Sequence, residues 1–412
     1  MAVMNCFAFL VKPGSIRTLC SIWLSWVVIM LGFQMLVEAR FQPYRPDYAL
    51  RWTPAETAKN SQKGKAYLVE PFMNRQVSWD SEFYLSIATV GYDDPEIRNV
   101  NTPEGRFSMN YAFFPFYPAV MRVIRQPLRL LDLNPIATTT LAGVLVSLVS
   151  TLFGMFALYD LTRDELGESG GIRTAFYLLI FPSSFFLAQV YTEALFVALA
   201  FGCLALIHHR RLFWAGLLAG LATWTRATGM VLVVPLGIAW LRTIDLQSLN
   251  RQIIYRGLPI LFPVTAYLIW SHFLGNQFSL VEDSWFGRGL FDFERFGDGT
   301  RQAWEDIKSG EVLARRVYFL LELSAVLLAF GACLLTLRSY PGVALFGMMA
   351  LVIPLTSGAP QSLIRYVLVI PSLFIFLSRL GRSAAFDRAW TTGSILLLSM
   401  QTALFTFDMW VA

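Results

Sequence analysis

Residues 19–37 read LCSIWLSWVVIMLGFQMLV, an apolar run that contains no charged side chain. A helix needs about 20 apolar residues to cross a hydrocarbon core about 30 Å thick, so this run predicts a membrane-spanning helix. No small-residue cleavage site follows it, which favours a retained helix over a removed signal peptide. Lys12 and Arg17 precede the run, and these charges predict a cytoplasmic N-terminus.

Further apolar runs follow along the whole chain, and the composition agrees with a protein that lies in lipid. The sequence is 56% hydrophobic and 15% charged, with a mean hydropathy of +0.53, whereas a soluble domain is about one quarter charged. We therefore expect an all-α polytopic membrane protein, a single integral membrane unit over residues 1–412 with about eleven transmembrane helices. The further runs lie at about 136–160, 172–190, 194–208, 212–226, 228–242, 257–275, 316–337, 341–357, 362–380 and 390–410.

Arginines are distributed unequally between the two sets of predicted loops. With a cytoplasmic N-terminus, the short outer turns contain only Arg226 and Arg365. Cytoplasmic loops are normally enriched in Lys and Arg, so this bias explains the net charge of +5 without a nucleic-acid ligand. The short cytoplasmic loops contain Arg163, Arg173, Arg210, Arg211, Arg242, Arg251, Arg256, Arg338, Arg379, Arg382 and Arg388.

Two long polar segments fall on the outer side in this topology. The first polar segment, residues 38–135, is a predicted extracytoplasmic loop with juxtamembrane helices, and the second polar segment comprises residues 276–312. Within the first, residues 112–131 are partly apolar, but counting them as a span would place the arginine-rich loops outside. Arg122, Arg125 and Arg129 recur there at helical spacing, which predicts an amphipathic helix on the outer leaflet with its arginines towards the headgroups.

The first polar segment contains the sequence Trp79-Asp80-Ser81-Glu82-Phe83-Tyr84. A carboxylate among aromatic rings at a membrane surface suits chemistry on a lipid-linked sugar, because the rings can stack on the sugar and the carboxylate can take a proton. The predicted topology brings four further polar residues to the same face, Tyr191, Glu193, Arg226 and Arg365. Arginine at this boundary can clamp a lipid phosphate, since its planar fork matches two oxygens.

Each of these residues also has a structural interpretation. Asp80 could cap a helix that begins at Ser81. Glu193 could be stabilised by the dipole at the start of the next helix. Arg226 and Arg365 could be interface arginines whose charged heads only reach the headgroups. The sequence alone leaves both interpretations open.

Other titratable residues are less informative. Asp93-Asp94 before Pro95 predicts a turn. Glu322 lies within a predicted span, at a depth that the sequence leaves open. The four cysteines and three histidines are scattered, without disulfide or metal-ligand spacing, and the acids show no metal-binding spacing either, so we expect no metal and no cofactor.

Several blocks of the sequence together resemble a known family. They are Trp79-Asp80 with Tyr84, Ile87-Ala88 and Gly91-Tyr92; Ala112-Phe113-Phe114-Pro115 with Tyr117-Pro118; Phe181-Pro182-Ser183-Ser184-Phe185-Phe186 with Tyr191-Thr192-Glu193 and Leu195-Phe196; and Leu221-Ala222 with Thr225-Arg226 and Thr228-Gly229. In their order and spacing they resemble the GPI mannosyltransferase 2 (PIG-V) family and its bacterial relatives, within the GT-C superfamily of polyprenyl-phosphate-sugar-dependent glycosyltransferases. The resemblance covers about residues 79–235, and beyond it rests on hydropathy and on Arg365-Tyr366.

The resemblance implies a GT-C-like bundle with an active site that faces outside and a catalytic acid at the position of Asp80. We therefore predict an inverting transfer in which Asp80 takes the proton of an acceptor hydroxyl, which attacks the anomeric carbon through an oxocarbenium-like transition state. Arg226 and Arg365 are the predicted ligands of the donor phosphate. The other predicted substrate-binding residues are Trp79, Glu82, Tyr84, Tyr92, Tyr191 and Glu193.

The predicted function is that of a mannosyltransferase that moves a sugar from polyprenyl or dolichyl phosphate to a lipid-linked or glycan acceptor. The predicted location is a bacterial plasma membrane, or the endoplasmic reticulum membrane in a eukaryote. The main alternative is a polytopic lipid or sugar transporter or flippase. Transporters usually show internal repeats and midplane charges, whereas here the polar residues collect at one face, which favours an enzyme. A third alternative, a non-catalytic subunit, is opposed only by the resemblance.

Overall fold

A computed structural model describes residues 13–42, 45–243, 255, 257–274 and 276–411. The predicted cytoplasmic charges Lys12, Arg251 and Arg256 lie outside the described residues. Within the described ranges, β structure is confined to one antiparallel hairpin, formed by β1 (Asn99–Thr102) and β2 (Gly105–Ser108). The all-α class predicted from the sequence is confirmed.

Long apolar helices alternate with short ones along the described chain. The α-helices are α1 (Pro13–Arg40), α2 (Thr53–Glu56), α3 (Ala66–Val69), α4 (Ser81–Thr89), α5 (Phe116–Leu128), α6 (Pro135–Ile180), α7 (Glu193–His208), α8 (Leu212–Thr223), α9 (Val233–Leu241), α10 (Leu261–Leu274), α11 (Gln277–Val281), α12 (Phe293–Ser309), α13 (Leu313–Thr336), α14 (Pro341–Leu355), α15 (Leu363–Val367), α16 (Pro371–Leu380) and α17 (Ala384–Thr406). Tighter 3₁₀ turns lie at Asn74–Gln76, Met109–Ala112, Arg129–Leu131, Ser184–Ala188, Ala227–Leu232 and Leu258–Ile260, and a π-helical turn lies at Glu282–Phe286.

Three of the described helices are long and apolar enough to cross a membrane, namely Gly14–Arg40, Pro135–Ile180 and Leu313–Thr336. A fourth span results if the bent pair Leu258–Phe273 and Gln277–Phe286 is counted as one. The polytopic membrane class is thus confirmed, although strict length and composition support fewer spans than the eleven predicted. The shorter apolar helices, of 10–17 residues, are Glu193–His208, Leu212–Thr223, Ala227–Leu241, Pro341–Leu355 and Pro371–Leu380.

Helix α6 is a hairpin of two antiparallel arms. Gly167 interrupts it with a non-helical backbone (φ 74°, ψ 176°) that glycine adopts at low cost. Beyond the turn, a Cβ on Gly171 would lie 2.9 Å from the ring of Tyr159, although twelve residues of straight helix rise about 18 Å. Further up the hairpin, the Ser147 hydroxyl donates to the carbonyl of Gln189 over 2.7 Å. The predicted runs 136–160 and 172–190 are therefore separate arms.

Two predicted spans are interrupted close to prolines. The run 172–190 leaves the helix after Ile180 and continues as the 3₁₀ turn Ser184–Ala188, and the run 362–380 is divided into α15 and α16. Phe181 and Ile370, which precede Pro182 and Pro371, have extended backbones with ψ of 143° and 101°. A proline ring disfavours helical geometry in the residue before it. The prediction of continuous spans there was wrong for this reason.

The first polar segment contains the expected amphipathic helix, but one arginine lies differently from the prediction. In α5 (Phe116–Leu128), Tyr117 and Met121 are buried, whereas Arg122 and Arg129 are exposed. Arg122 was predicted to face the headgroups. Instead its guanidinium donates to the carbonyls of Ile87 and Ala88 over 2.6 and 3.1 Å. It thereby satisfies the free carbonyls at the end of α4 (Ser81–Thr89), which needed a partner.

A buried polar network holds the first polar segment together. The carboxylate of Asp94, placed in the predicted turn, accepts hydrogen bonds from the hydroxyls of Tyr67 and Ser86. Asn110 donates to Ser86 over 2.8 Å and to the carbonyl of Gly91 over 3.1 Å. Burial raises the pKa of the Tyr67 hydroxyl, so it remains a donor to Asp94. The network fixes the C-terminal half of α4, the helix that follows Asp80.

The second polar segment lies against the first. The ring of Phe286 packs edge-on against Phe113 at 6.1 Å, and Phe278 packs against Phe114 at 5.2 Å. The guanidinium of Arg98 lies 5.1 Å from the centre of the Trp285 ring. The family-like block Ala112–Pro115 is therefore covered by residues from the second segment, whose participation the sequence did not predict.

Candidate active site

Asp80 lies immediately before helix α4 but does not cap it. Its side chain makes no capping hydrogen bond; instead Oδ2 accepts from Nη1 of Arg365 over 2.7 Å. The backbone around Asp80 is held by Tyr191, whose hydroxyl donates to the carbonyl of Ser78 over 2.9 Å and accepts from the Asp80 N–H over 3.3 Å. The capping interpretation is wrong, and the carboxylate is directed towards the arginine.

Glu193 joins both predicted phosphate-binding arginines. Its side chain is fully buried at the start of α7, and its Oε1 contacts Nη1 of Arg226 and lies 2.7 Å from Nε of Arg365. Arg226 also donates to the hydroxyl of Thr192 over 3.4 Å. The second oxygen, Oε2, is buried and has no hydrogen-bond partner among the described residues. Asp80, Arg365, Glu193 and Arg226 therefore form one chain of charges, called here the charge cluster.

Both arginines of the charge cluster are buried among aromatic rings. Arg226 and Arg365 are 7% and 9% exposed, which rules out a role as interface arginines that only reach the headgroups. The guanidinium of Arg365 lies 5.3 Å from the centre of the Tyr191 ring, and that of Arg226 lies 4.7 Å from the Tyr366 ring. Such cation–π contacts contribute up to about 2 kcal/mol when they are desolvated. They keep the cations in place where solvent is scarce.

Tyr84 forms part of the wall beside the charge cluster. Its ring packs edge-on against Tyr117 at 5.4 Å and against Tyr191 at 6.3 Å. Burial raises the pKa of the Tyr84 hydroxyl, and the negative charge of Asp80 raises it further. Tyr84 therefore stays neutral and contributes its ring to the buried packing beside the cluster.

Three predicted substrate-binding residues lie outside the charge cluster. Trp79 packs against Trp52 and Trp410, with ring centres 5.9 and 5.0 Å away. The hydroxyl of Tyr92 donates to the carbonyl of Phe113 over 2.9 Å. Glu82 is buried; this burial raises its pKa, and the nearby charges that act on it belong to Lys65, Arg98 and Glu56 rather than to the cluster.

The structure adds two residues that the sequence had not assigned to the site. Arg288, in the second polar segment, donates from Nη1 to the hydroxyl of Tyr366 over 2.8 Å. Tyr366 follows Arg365 directly, and its ring is shared with Arg226. No signal in the sequence singled out Arg288, because the second polar segment also contains Arg295 and Arg301.

Glu322, whose role the sequence left open, supports the segment that carries Arg365. It is 2% exposed, and its Oε2 accepts from the N–H of Ile364 over 2.8 Å. On the same helix, the hydroxyl of Tyr318 accepts from the N–H of Ser362 over 2.9 Å. The first N–H groups of a helix have no carbonyl of a preceding turn to bind. These two bonds therefore satisfy N–H groups at the start of the short helix α15.

The fold and the charge cluster define a class: a polytopic helical membrane protein with a largely buried cluster of two acids and two arginines. The family model described as mannosyltransferase (PIG-V) matches residues 17–274, more than half of the sequence. The chain belongs to this family. The family expected from the motifs at about residues 79–235 is confirmed, while Arg288, Glu322 and Arg365 lie beyond the matched residues.

Curated relatives are similar over part of their length. The chain is 31% identical to GPI alpha-1,6-mannosyltransferase 2 of Cricetulus griseus over 206 residues, which cover 48% of this chain and 38% of that protein. It is 29% identical to the Homo sapiens protein of the same name over 261 residues, 60% of this chain and 48% of that protein. The matched part of this chain thus spans less than half the length of these relatives.

The solved structures that align with this chain share little sequence identity with it. ArnT from Cupriavidus metallidurans bound to undecaprenyl phosphate aligns at a TM-score of 0.45 and 15% identity, over 93% of this chain and 76% of that one. The Archaeoglobus fulgidus oligosaccharyltransferase with zinc and sulfate aligns at a TM-score of 0.44 and 13% identity, over 93% and 53%.

Proposed function

We propose that this protein is an inverting glycosyltransferase, a mannosyltransferase, that uses a polyprenyl- or dolichyl-phosphate sugar and glycosylates a lipid-linked or glycan acceptor. The observation that carries the proposal is the pairing of Asp80 with Arg365 over 2.7 Å, within a cluster that also holds Glu193 and Arg226. A base and cations within one buried cluster suit the two ends of a glycosyl transfer. Membership of the mannosyltransferase (PIG-V) family supports the sugar and the reaction class.

Asp80 is the proposed general base. Its Oδ2 is occupied by Arg365, so Oδ1 is the oxygen offered to the acceptor. The acceptor hydroxyl gives its proton to Asp80, and its oxygen forms the new bond to the anomeric carbon from the face opposite the phosphate. The bond from that carbon to the phosphate oxygen breaks, and its electron pair leaves with the lipid phosphate. Because a phosphate leaves readily, no strong general acid is needed.

Arg226 and Arg365 are the proposed ligands on the phosphate side. Each guanidinium has five N–H donors, and the observed contacts to carboxylates and Thr192 use Nη1 of both and Nε of Arg365. Among the described residues the Nη2 groups of both arginines have no such contact, so they can donate to an oxygen whose charge grows as the bond breaks. A preorganised donor in a buried site stabilises such charge more than one that water must first reorganise around.

The other predicted substrate-binding residues differ in how far their observed packing supports a contact with substrate. Glu193 and Tyr191 lie in or against the charge cluster, and the unpartnered Oε2 of Glu193 suits a sugar or acceptor hydroxyl. Tyr84 would line the sugar pocket. Trp79, Tyr92 and Glu82 lie outside the cluster, so their predicted contacts with substrate find no support in the observed packing.

The proposed location keeps the sequence-based topology. The N-terminus would be cytoplasmic, and the charge cluster with both polar segments would face the extracytoplasmic side of a bacterial plasma membrane, or the lumen of the endoplasmic reticulum in a eukaryote. This placement follows from the arginine bias between short loops. It gives the site access to a lipid-linked donor from the outer leaflet.

The proposal is tested with the purified full chain, polyprenyl-phosphate mannose labelled in the sugar, and membrane lipid extract. Transfer moves the label to a new lipid or glycan and releases polyprenyl phosphate. A flippase would leave the donor intact, so the appearance of free polyprenyl phosphate separates the two functions. If a correctly folded preparation cleaves the donor with none of the lipid fractions or glycan acceptors, the proposed glycosyltransferase function is wrong.

A further inference from the structure

Arg288 is presented to the charge cluster by a tight turn of the second polar segment. Gly287 has φ 60°, in the left-handed region that favours glycine, and the N–H of Arg288 donates to the carbonyl of Glu282 over 3.1 Å. The next N–H, of Gly289, donates to the carbonyl of Ser357 over 2.8 Å. The turn is therefore fastened both to its own segment and to the chain that leads into Arg365.

The approach of this turn to the chain before Arg365 is close enough to require glycine at position 358. A Cβ on Gly358 would lie 2.8 Å from the carbonyl oxygen of Gly287 and 3.5 Å from Cγ of Arg288. Real side chains essentially never approach a backbone oxygen so closely. The position of Arg288 is thus set by packing and not by a freely moving loop.

Tyr366 is surrounded by three guanidinium groups. Arg226 lies 4.7 Å, Arg365 5.9 Å and Arg288 6.0 Å from the centre of its ring. Nη1 of Arg288 donates to the phenol oxygen over 2.8 Å. The Tyr366 hydroxyl accepts in this bond, so its own proton is available to a further acceptor.

The three arginines differ in their charge partners. Arg226 is ion-paired with Glu193, and Arg365 is ion-paired with both Asp80 and Glu193. Over the described part of the chain, Arg288 has no carboxylate oxygen within 4.0 Å; Glu282 and Arg288 influence each other only at longer range. Arg288 is also half-buried rather than buried. Among the described residues, Arg288 is therefore the one of the three arginines whose positive charge is not paired with a carboxylate and can bind an anionic ligand.

We propose that Arg288, oriented by Tyr366, is a further direct ligand of the phosphate of the lipid-linked donor. This inference rests on the donor class of the proposed function, and it adds a ligand from the second polar segment. The planar guanidinium matches two phosphate oxygens, and the Tyr366 proton can reach a third. Arg226 and Arg365 also hold Asp80 and Glu193 in position, in addition to the Nη2 donors that they offer to the phosphate.

The test measures binding, not turnover, on the full chain reconstituted in nanodiscs. The probes are polyprenyl phosphate and the uncharged polyprenol of the same chain length. Hydrogen bonds to a charged group contribute about 1.5–3 kcal/mol, and each 1.4 kcal/mol is about tenfold. Arg288→Gln should therefore weaken binding of polyprenyl phosphate about 10- to 100-fold and leave polyprenol binding unchanged.

Arg295→Gln is the matched control, since Arg295 lies in the same segment but is exposed and ion-paired with Asp283. It should bind both probes as the wild type does. Arg288→Lys, which is the variant of choice if Arg288→Gln does not fold, should retain part of the preference because it keeps the charge and loses the fork. Tyr366→Phe should lower the preference by less than Arg288→Gln.

The outcomes separate this inference from the proposed function. A wild type that prefers polyprenyl phosphate to polyprenol, together with an Arg288→Gln or Arg288→Lys variant that keeps the full preference, would overturn the role of Arg288 alone. A wild type without any preference would overturn the donor class and this inference with it. An equal loss in Arg295→Gln would show a general charge effect of the segment and would also overturn the specific role of Arg288.

Discussion

Asp80→Asn should abolish transfer while the protein remains folded and still binds its donor. An amide has nearly the shape of a carboxylate but cannot take the acceptor proton, and loss of a general base typically costs about 10²- to 10⁴-fold in rate. The loss should appear in kcat, because the donor is held elsewhere in the cluster. The change leaves an oxygen that can still accept from Arg365.

The effect on stability should be small for reasons visible in the structure. The Arg365 side chain is 11% exposed and that of Asp80 22%, so the pair lies between an exposed pair, which contributes about 0–1 kcal/mol, and a fully buried one. Removing one partner of a buried pair can cost about 3–5 kcal/mol, but Arg365 keeps Glu193 2.7 Å from its Nε. We therefore expect a loss of about 1 kcal/mol or less.

Initial rates against donor concentration, together with thermal unfolding, test both statements. Asp93→Asn makes the same chemical change in the same polar segment, at an exposed carboxylate that accepts from Tyr111 over 2.7 Å, and should transfer at the wild-type rate. If Asp80→Asn also transfers at a rate near wild type, Asp80 serves only to pair with Arg365. The base would then have to be Glu193, whose Oε2 is unpartnered.

Three further outcomes follow from the same contacts. Arg226→Lys should slow transfer at least about tenfold, since a point charge cannot replace the buried fork, whereas Arg210→Lys, at an exposed site, should match the wild type. Glu322→Leu leaves the Ile364 N–H without its acceptor, so it should lower the unfolding free energy by about 1–3 kcal/mol, measured by denaturation, and weaken donor binding. Burial raises the folded-state pKa of Glu82, so its contribution to stability is lost as pH rises from the ordinary Glu range through that pKa. Thermal melting against pH should show this decline, and Glu82→Gln should flatten it.

The sequence by itself determined the class and the family, and it singled out Asp80 as the proposed base. Apolar length and charge bias are properties of local segments, and the motif around Trp79-Asp80 is contiguous, so neither needs the tertiary fold to be recognised. The same topology argument placed Glu193, Arg226 and Arg365 on one face, because it follows from counting spans. It placed Trp79, Glu82 and Tyr92 on that face equally well, although their side chains pack elsewhere.

Only the tertiary structure decided which of these groups interact. Asp80 and Arg365 are 285 residues apart, and nothing local distinguishes a carboxylate that caps its own helix from one that pairs with a distant guanidinium. The position of Arg288 depends on a turn that packs against Ser357 and Gly358, and the support that Glu322 gives to Ile364 depends on two helices that meet in the bundle. The burial of a side chain, its choice of partner and, among the described residues, the absence of a paired carboxylate at Arg288 depend on long-range packing, which a pattern of neighbouring residues does not specify.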